Sequence, residues 1–177
     1  MKPQFPSIQS FRLKLQPQQN EDAEVLYQIY HSEGVLRYFP NPNPPALEKV
    51  KQFIIGQHEH WQKHGYGNWG LLPEGETNII GWAGLQYLPE LDETEVGFLL
   101  NRPWWGLGYA TVAARAILQL CFSQVRLDHI IALVHPENLA SQRVIEKFGM
   151  TYMETLSLWG IDLMGYRVEN PFLHEIS

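Results

Sequence analysis

The stretch Thr94-Glu95-Val96-Gly97-Phe98-Leu99-Leu100-Asn101-Arg102-Pro103-Trp104-Trp105-Gly106-Leu107-Gly108-Tyr109-Ala110-Thr111 decides how the rest of the chain is read. Its first seven residues alternate as an extended strand does: Thr94, Val96, Phe98 and Leu100 project to one side, and Glu95, Gly97 and Leu99 to the other. Two glycines then punctuate the chain before a long helix, predicted to run to about Gln124. In that helix Thr111, Arg115, Gln119 and Ser123 recur at four-residue spacing, while most of the remaining circumference is apolar. A helix with one narrow polar stripe buries its other faces against a sheet.

Working outward, a strand over residues 130–135 follows the helix, then Pro136-Glu137-Asn138, a helix over 139–148 closed by Gly149, and two strands near 152–158 and 163–168. Strand, helix and strand in that succession make one parallel βαβ unit. Upstream, strand patterns over 68–72, 79–87 and 94–100 are joined by short Gly, Pro, Asp and Glu turns, which suits an antiparallel meander. Helices over 21–31 and 47–64 flank the loop Asn41-Pro42-Asn43-Pro44-Pro45, and a first strand is expected over 11–15. The order β-α-α-β-β-β-α-β-α-β-β predicts an α/β (α+β) mixed sheet, mostly antiparallel with one parallel βαβ splay, and helices on both faces. At 177 residues one domain, 1–177, is expected.

Composition narrows the function classes. With 45% apolar and 12% aromatic residues the chain is a packed globular domain rather than a disordered one. Its net charge of −6, from 19 acidic and 13 basic residues with no dense basic block, argues against nucleic acid or an anionic membrane as partner. An anionic cofactor would need local backbone donors, which directs attention to helix N-termini. No run approaches the roughly 18 apolar residues of a spanning helix, and the N-terminus MKPQFPSIQSFRLKLQPQQ has no apolar core of a secretory leader, so a cytoplasmic protein is expected. The lone Cys121, inside AILQLCF, reads as a small buried hydrophobe.

Several segments carry possible chemistry. Trp105-Gly106-Leu107-Gly108-Tyr109-Ala110 before a buried helix suits either a tight connection or a cradle in which free amides meet a diphosphate. A dinucleotide fold is excluded there, because five residues separate strand from first glycine, position 111 is Thr, and the preceding strands form hairpins. Glu95 beside the side-chain gap of Gly97 reads as a solvated carboxylate on an open sheet face or, in an apolar cleft, as a general base. Asn138 suits an N-cap, whereas the Ser141 hydroxyl, in the first helical turn, has no capping duty and can donate a proton. His60 and His64 have metal-compatible spacing, but no Asp, Glu or Cys completes a set; a solvated helix face is expected, and no metal.

Together these pieces resemble the GCN5-related N-acetyltransferase (GNAT) superfamily, within it the RimJ/RimL branch of ribosomal-protein N-acetyltransferases. The resemblance rests on Glu95-Val96-Gly97-Phe98, on residues 105–111, and on Asn138-x-x-Ser141-x-Arg143-Val144-x-x-Lys147-Phe148-Gly149-Met150 in that order. It implies transfer of an acetyl group from acetyl-CoA to a primary amine of a small molecule or peptide. The amides of Leu107, Gly108, Tyr109, Ala110 and Thr111 would hold the CoA diphosphate, Val96, Gly97 and Phe98 would border the opening for the pantetheine arm, and Asn138 and Arg143 would also contact the cofactor. Glu95 would act as base and Ser141 as acid. Arg115 and Lys147 are further candidate cations. The sequence departs from the family pattern at Trp105, at Val112 in place of Glu, and at Ile145 in place of an acid Tyr. A non-catalytic acyl-CoA sensor and a longer acyl donor therefore stay open, as does a homodimer through exposed aromatic strands near Trp159. Acceptor specificity is expected in residues 41–45, helix two and the C-terminal strands.

Overall fold

The computed structural model describes residues 5–175; positions 1–4 and 176–177 of the expected 1–177 domain and its N-terminal segment lie outside the described residues. Within them the elements are β1 (Ile8–Ser10), β2 (Leu13–Pro17), α1 (Ala23–His31), α2 (Leu47–His64), β3 (Asn68–Pro73), β4 (Gly81–Leu88), β5 (Glu93–Leu100), α3 (Tyr109–Leu120), β6 (His129–Val134), α4 (Leu139–Lys147), β7 (Thr151–Leu158) and β8 (Ile161–Glu169). The strands form one sheet in the order β1-β2-β3-β4-β5-β6-β8-β7. Every neighbouring pair is antiparallel except β5 with β6. The expected mixed sheet with one parallel junction is the fold observed.

The alternation along β5 assigns the layers. Val96 and Leu100 join the core that holds Ala113 and Ile117 of α3 with Ile130 and Ala132 of β6. Leu99, on the opposite side, packs with Leu26 and Ile29 of α1 and Val50 and Ile54 of α2. Each such side chain, removed from water, contributes roughly 1.5–3 kcal/mol. A one-residue slip of β5 would turn Glu95 into the α3 core, so burial on both faces pins its register.

Three expectations need correction. The strand expected over 11–15 is β2 and begins at Leu13, and a short β1 that the sequence reading lacked precedes it: Phe11 lies in a two-residue turn with φ 53° and is 84% exposed, and Ser10 pairs with Leu13 across it. Leu13 and Leu15 are the buried members of that pattern, and Phe11 matched their spacing only by coincidence of the turn. The long helix is regular only to Leu120; its end widens into a π turn over Cys121–Val125, closed by an Arg126 amide bond to the Cys121 carbonyl of 2.8 Å. Buried Asn170 draws this end in by donating to the carbonyls of Phe122 (3.1 Å) and Leu127 (2.8 Å). Finally, His60 does not lie on a solvated face. Its Nδ1 bonds the Tyr66 carbonyl at 2.8 Å and its Nε2 accepts from the Tyr87 amide at 3.0 Å, tying α2 to β4 as a neutral ring, and burial holds its pKa below the usual histidine range. His64 stacks on Tyr87 with ring centroids 5.0 Å apart.

Cys121 is fully buried, which pushes its thiol up to about 12, so it packs as a hydrophobe. No helix among the described residues is long and apolar enough to cross a membrane.

Candidate active site

Strand β5 is sealed along one edge and open along the other. It pairs with β4 from Gly81 opposite Leu100 to Leu88 opposite Glu93, yet among the described residues it meets β6 at a single register, Glu95 opposite Ile131. Two clefts, of about 420 and 380 Å³, occupy the splay and share Tyr38, Phe39, Phe98, Asn138 and Ser141. The first extends past Leu100 to Gly106 and Ala110. The second extends along Val96 and Gly97 to Glu95, Trp82 and Trp159.

Glu95 stands where the ladder ends. Burial raises its pKa to about 7, and the Leu133 amide, donating to the carboxylate, offsets part of that rise. That amide belongs to β6 just past the last β5–β6 contact, so the splay itself supplies the donor. A carboxyl poised near neutrality inside a cleft is suited to accept a proton. Of its two sequence readings, the open sheet face is therefore the wrong one. The gap expected beside Gly97 is floored by the Trp82 ring, 3.5 Å from where a Cβ would stand.

The opposite wall is the start of α4. Asn138 caps it by accepting the Ser141 amide at 3.2 Å, as expected, and both residues face the two clefts. Ser141 is thus held in the first turn by a bond that leaves its hydroxyl unused. Ile145, in the next turn, is buried at 3% exposure and lines the second cleft without any polar atom.

At the far end of the first cleft lies the glycine turn. Gly106 and Gly108 have φ of 74° and 86°, the left-handed region that excludes most side chains, and a Cβ at either would meet nothing within 4 Å. Space is open above this backbone. No side chain caps α3, and its first bond runs from Val112 to the Gly108 carbonyl at 3.1 Å, so the amides of Tyr109, Ala110 and Thr111 precede the hydrogen-bonded ladder. Donors at the positive end of a helix with room before them fit an anionic diphosphate. Trp105 seats the turn by donating from its indole to the Leu100 carbonyl at 2.8 Å, and the Trp104 ring meets Tyr109 edge-on at 5.5 Å.

Residues 12–151 match the model of the acetyltransferase (GNAT) domain. The chain belongs to the GNAT acetyltransferase family. It is 45% identical to the uncharacterized N-acetyltransferase YnaD of Bacillus subtilis (strain 168) over 147 residues, 81% of each protein. An acetyltransferase from Agrobacterium tumefaciens superposes with a TM-score of 0.81 at 25% identity, covering 96% of this chain and 97% of the other. RimL, the ribosomal L7/L12 alpha-N-protein acetyltransferase solved with coenzyme A, superposes at 0.78 over 93% of this chain and 97% of its own, with 15% identity, a likeness of fold alone. This acetyltransferase is accordingly an acyltransferase enzyme.

The fold brings together most residues singled out from sequence. Glu95, Val96, Gly97, Phe98, Asn138 and Ser141 line the second cleft, and Ala110 lines the first. Leu107, Gly108, Tyr109 and Thr111 form the turn and helix start beyond it, Leu107 being 63% exposed. Arg143 is exposed on α4 and lines neither cleft. Arg115 spans to the end of α4, donating to the Lys147 carbonyl at 2.9 Å. One wall of the first cleft was missed by sequence reasoning. Glu33, Gly34, Val35, Arg37, Tyr38 and Phe39 line the first cleft, whereas Asn41, Asn43 and Pro45 face a separate shallow pocket against Tyr30, Lys49 and Phe53. The available signal was an apolar and aromatic run inside a loop, with Val35 and Leu36 buried to anchor it.

Proposed function

We propose that this GNAT acetyltransferase moves an acetyl group from acetyl-CoA to a primary amine by direct attack on the thioester, as a cytoplasmic enzyme built from the single domain 1–177. The observation that carries the reading is the meeting of two clefts at the splay, one ending on uncapped helix amides and the other on a carboxyl with pKa about 7. When bound, acetyl-CoA supplies an activated acyl carbon and a thiolate leaving group. The amides of residues 107–111 would hold its diphosphate, Val96, Gly97 and Phe98 would border its arm, and Asn138 would contact it from the cap of α4, with Arg143 an exposed cation further along that helix. Glu95 removes the proton from the ammonium, freeing the lone pair for attack. The amine would add to the thioester carbonyl, and collapse of the resulting oxyanion would break the C–S bond while the second N–H proton leaves the nitrogen, with the Ser141 hydroxyl placed in the cleft to pass a proton to sulfur. Unpaired strand amides at the splay are suited to the developing oxyanion.

Membership of the RimJ/RimL branch, with a protein N-terminus among the acceptors, is part of this proposal and is supported by the motif order. Buried Ile145, without a hydroxyl, favours one rival, a non-catalytic acyl-CoA sensor. Thiol release from acetyl-CoA in the presence of N-terminal peptides and small amines separates the two. Release that depends on acceptor supports the transferase, CoA binding without release supports the sensor, and failure to bind CoA removes both.

A further inference from the structure

The second cleft has an unusual balance of charge and aromatic surface. Besides Glu95, its lining holds the aromatic rings of Tyr38, Phe39, Trp82, Phe98 and Trp159 and the imidazole of His135. Two of them are fixed by their indole nitrogens. Trp82 donates to the Tyr30 hydroxyl at 3.0 Å, a phenol that burial pushes up to about 12 and so keeps neutral. Trp159, 46% exposed at the β7–β8 turn, donates to the Glu90 carboxylate at 3.4 Å, which sets its ring over the mouth of the cleft.

Among the described residues, Glu95 is the one acidic residue lining this cleft. In the adjoining first cleft Glu33 is paired with Arg102 at 3.0 Å. A third cavity, of about 410 Å³, lies against Glu95 on its other side, beneath α2, and there the polar groups are amides occupied with one another: Gln57 donates to Gln86 at 2.9 Å and accepts the Asn68 amide at 3.0 Å. One ammonium can therefore be met by Glu95 and by the faces of Trp82 and Trp159, since ring faces attract cations. A second ammonium on the same molecule would lose its water without a counter-charge, which is costly. The rim acid Glu90 is engaged with Trp159 and lies outside the cleft lining.

We propose that, among small amines, the second cleft favours as acceptor a primary amine bearing one positive charge on an aromatic or apolar body and discriminates against polycationic amines. The proposal rests on the reading of this cleft as the acceptor side of an acetyltransferase. A volume near 380 Å³, at the small end of ligand sites, suits a molecule of that kind.

Calorimetric titration tests it, on the full-length protein with and without saturating CoA, using phenethylamine and tryptamine against spermidine and kanamycin. The expected ranking places the two arylalkylamines at least about tenfold tighter, and Trp159→Ala is expected to weaken tryptamine about tenfold while the CoA titration reports an intact fold. Equal or tighter binding of spermidine or kanamycin overturns the proposal, as does unchanged tryptamine affinity in Trp159→Ala, or the binding of none of the four. Failure of the transferase reading looks different: CoA does not bind, or amines bind and no thiol is released. In either case the amine ranking is still read from the titrations.

Discussion

The two edges of β5 carry the same backbone to opposite ends. Against β4 it forms an unbroken ladder, and β4 is held in turn against β3, where Gly84 sits so close to the Gly67 carbonyl that a Cβ there would collide with it. Against β6 the ladder stops at Glu95 opposite Ile131, and the strand amides released, such as that of Leu133, turn to side chains or to a ligand. Regular pairing satisfies backbone polarity internally and leaves nothing to bind with; a site requires that pairing fail at a controlled place. Here the sealed edge supplies the rigidity that holds the open edge apart.

Glu95→Gln should break the contrast most severely. Loss of the base is expected to lower kcat by about 10²–10⁴, with CoA affinity kept and the rise of rate through pH 7 abolished, as steady-state kinetics over pH would show. Stability should move the other way. The carboxyl's folded pKa, about 7, lies above its unfolded value, so the stabilising difference present at low pH is lost as pH rises through 7. The glutamine variant should therefore gain more in Tm over wild type at pH 8 than at pH 5, by melts at both.

Behind that edge, where β4 meets β3, Gly84→Ala should cost on the order of 3 kcal/mol, because a Cβ there would meet the Gly67 carbonyl and the Asn68 backbone. Thermal unfolding should fall by roughly 10 °C. The matched change on the open side, Gly108→Ala, meets nothing within 4 Å and carries only left-handed strain of about 1–2 kcal/mol. Its expected signature is a smaller Tm loss together with weaker CoA binding by calorimetry, which Gly84→Ala would not show in its folded fraction. Smallest are the changes at the start of α4. Asn138→Ala removes a 3.2 Å cap and should cost about 1 kcal/mol by denaturant titration. Ser141→Ala should lower kcat only a few-fold, since a thiolate leaves readily without an acid, and should leave the melting curve in place.

Legibility followed the locality of each signal. α2 was readable to the residue, because periodicity and a closing glycine are local. The end of α3 was not, since its widening depends on Asn170, almost fifty positions from Phe122 in sequence. His60 looked solvated because its partners Tyr66 and Tyr87 come from the chain after α2, and one of them from another strand. Tyr38 and Trp159 were separated by most of the chain, and only folding put both on one cleft.

What the sequence determined by itself were the elements from β2 onward, their order, and the alternation that places Glu95 and Val96 on opposite faces of a strand, because these follow from the geometry of a few consecutive residues. Tertiary structure decided that β5 and β6 part at Glu95, that the carboxyl is raised toward neutrality, and that aromatic rings rather than other acids surround it. Those properties arise from burial and from neighbours distant along the chain, and no local pattern encodes a desolvation.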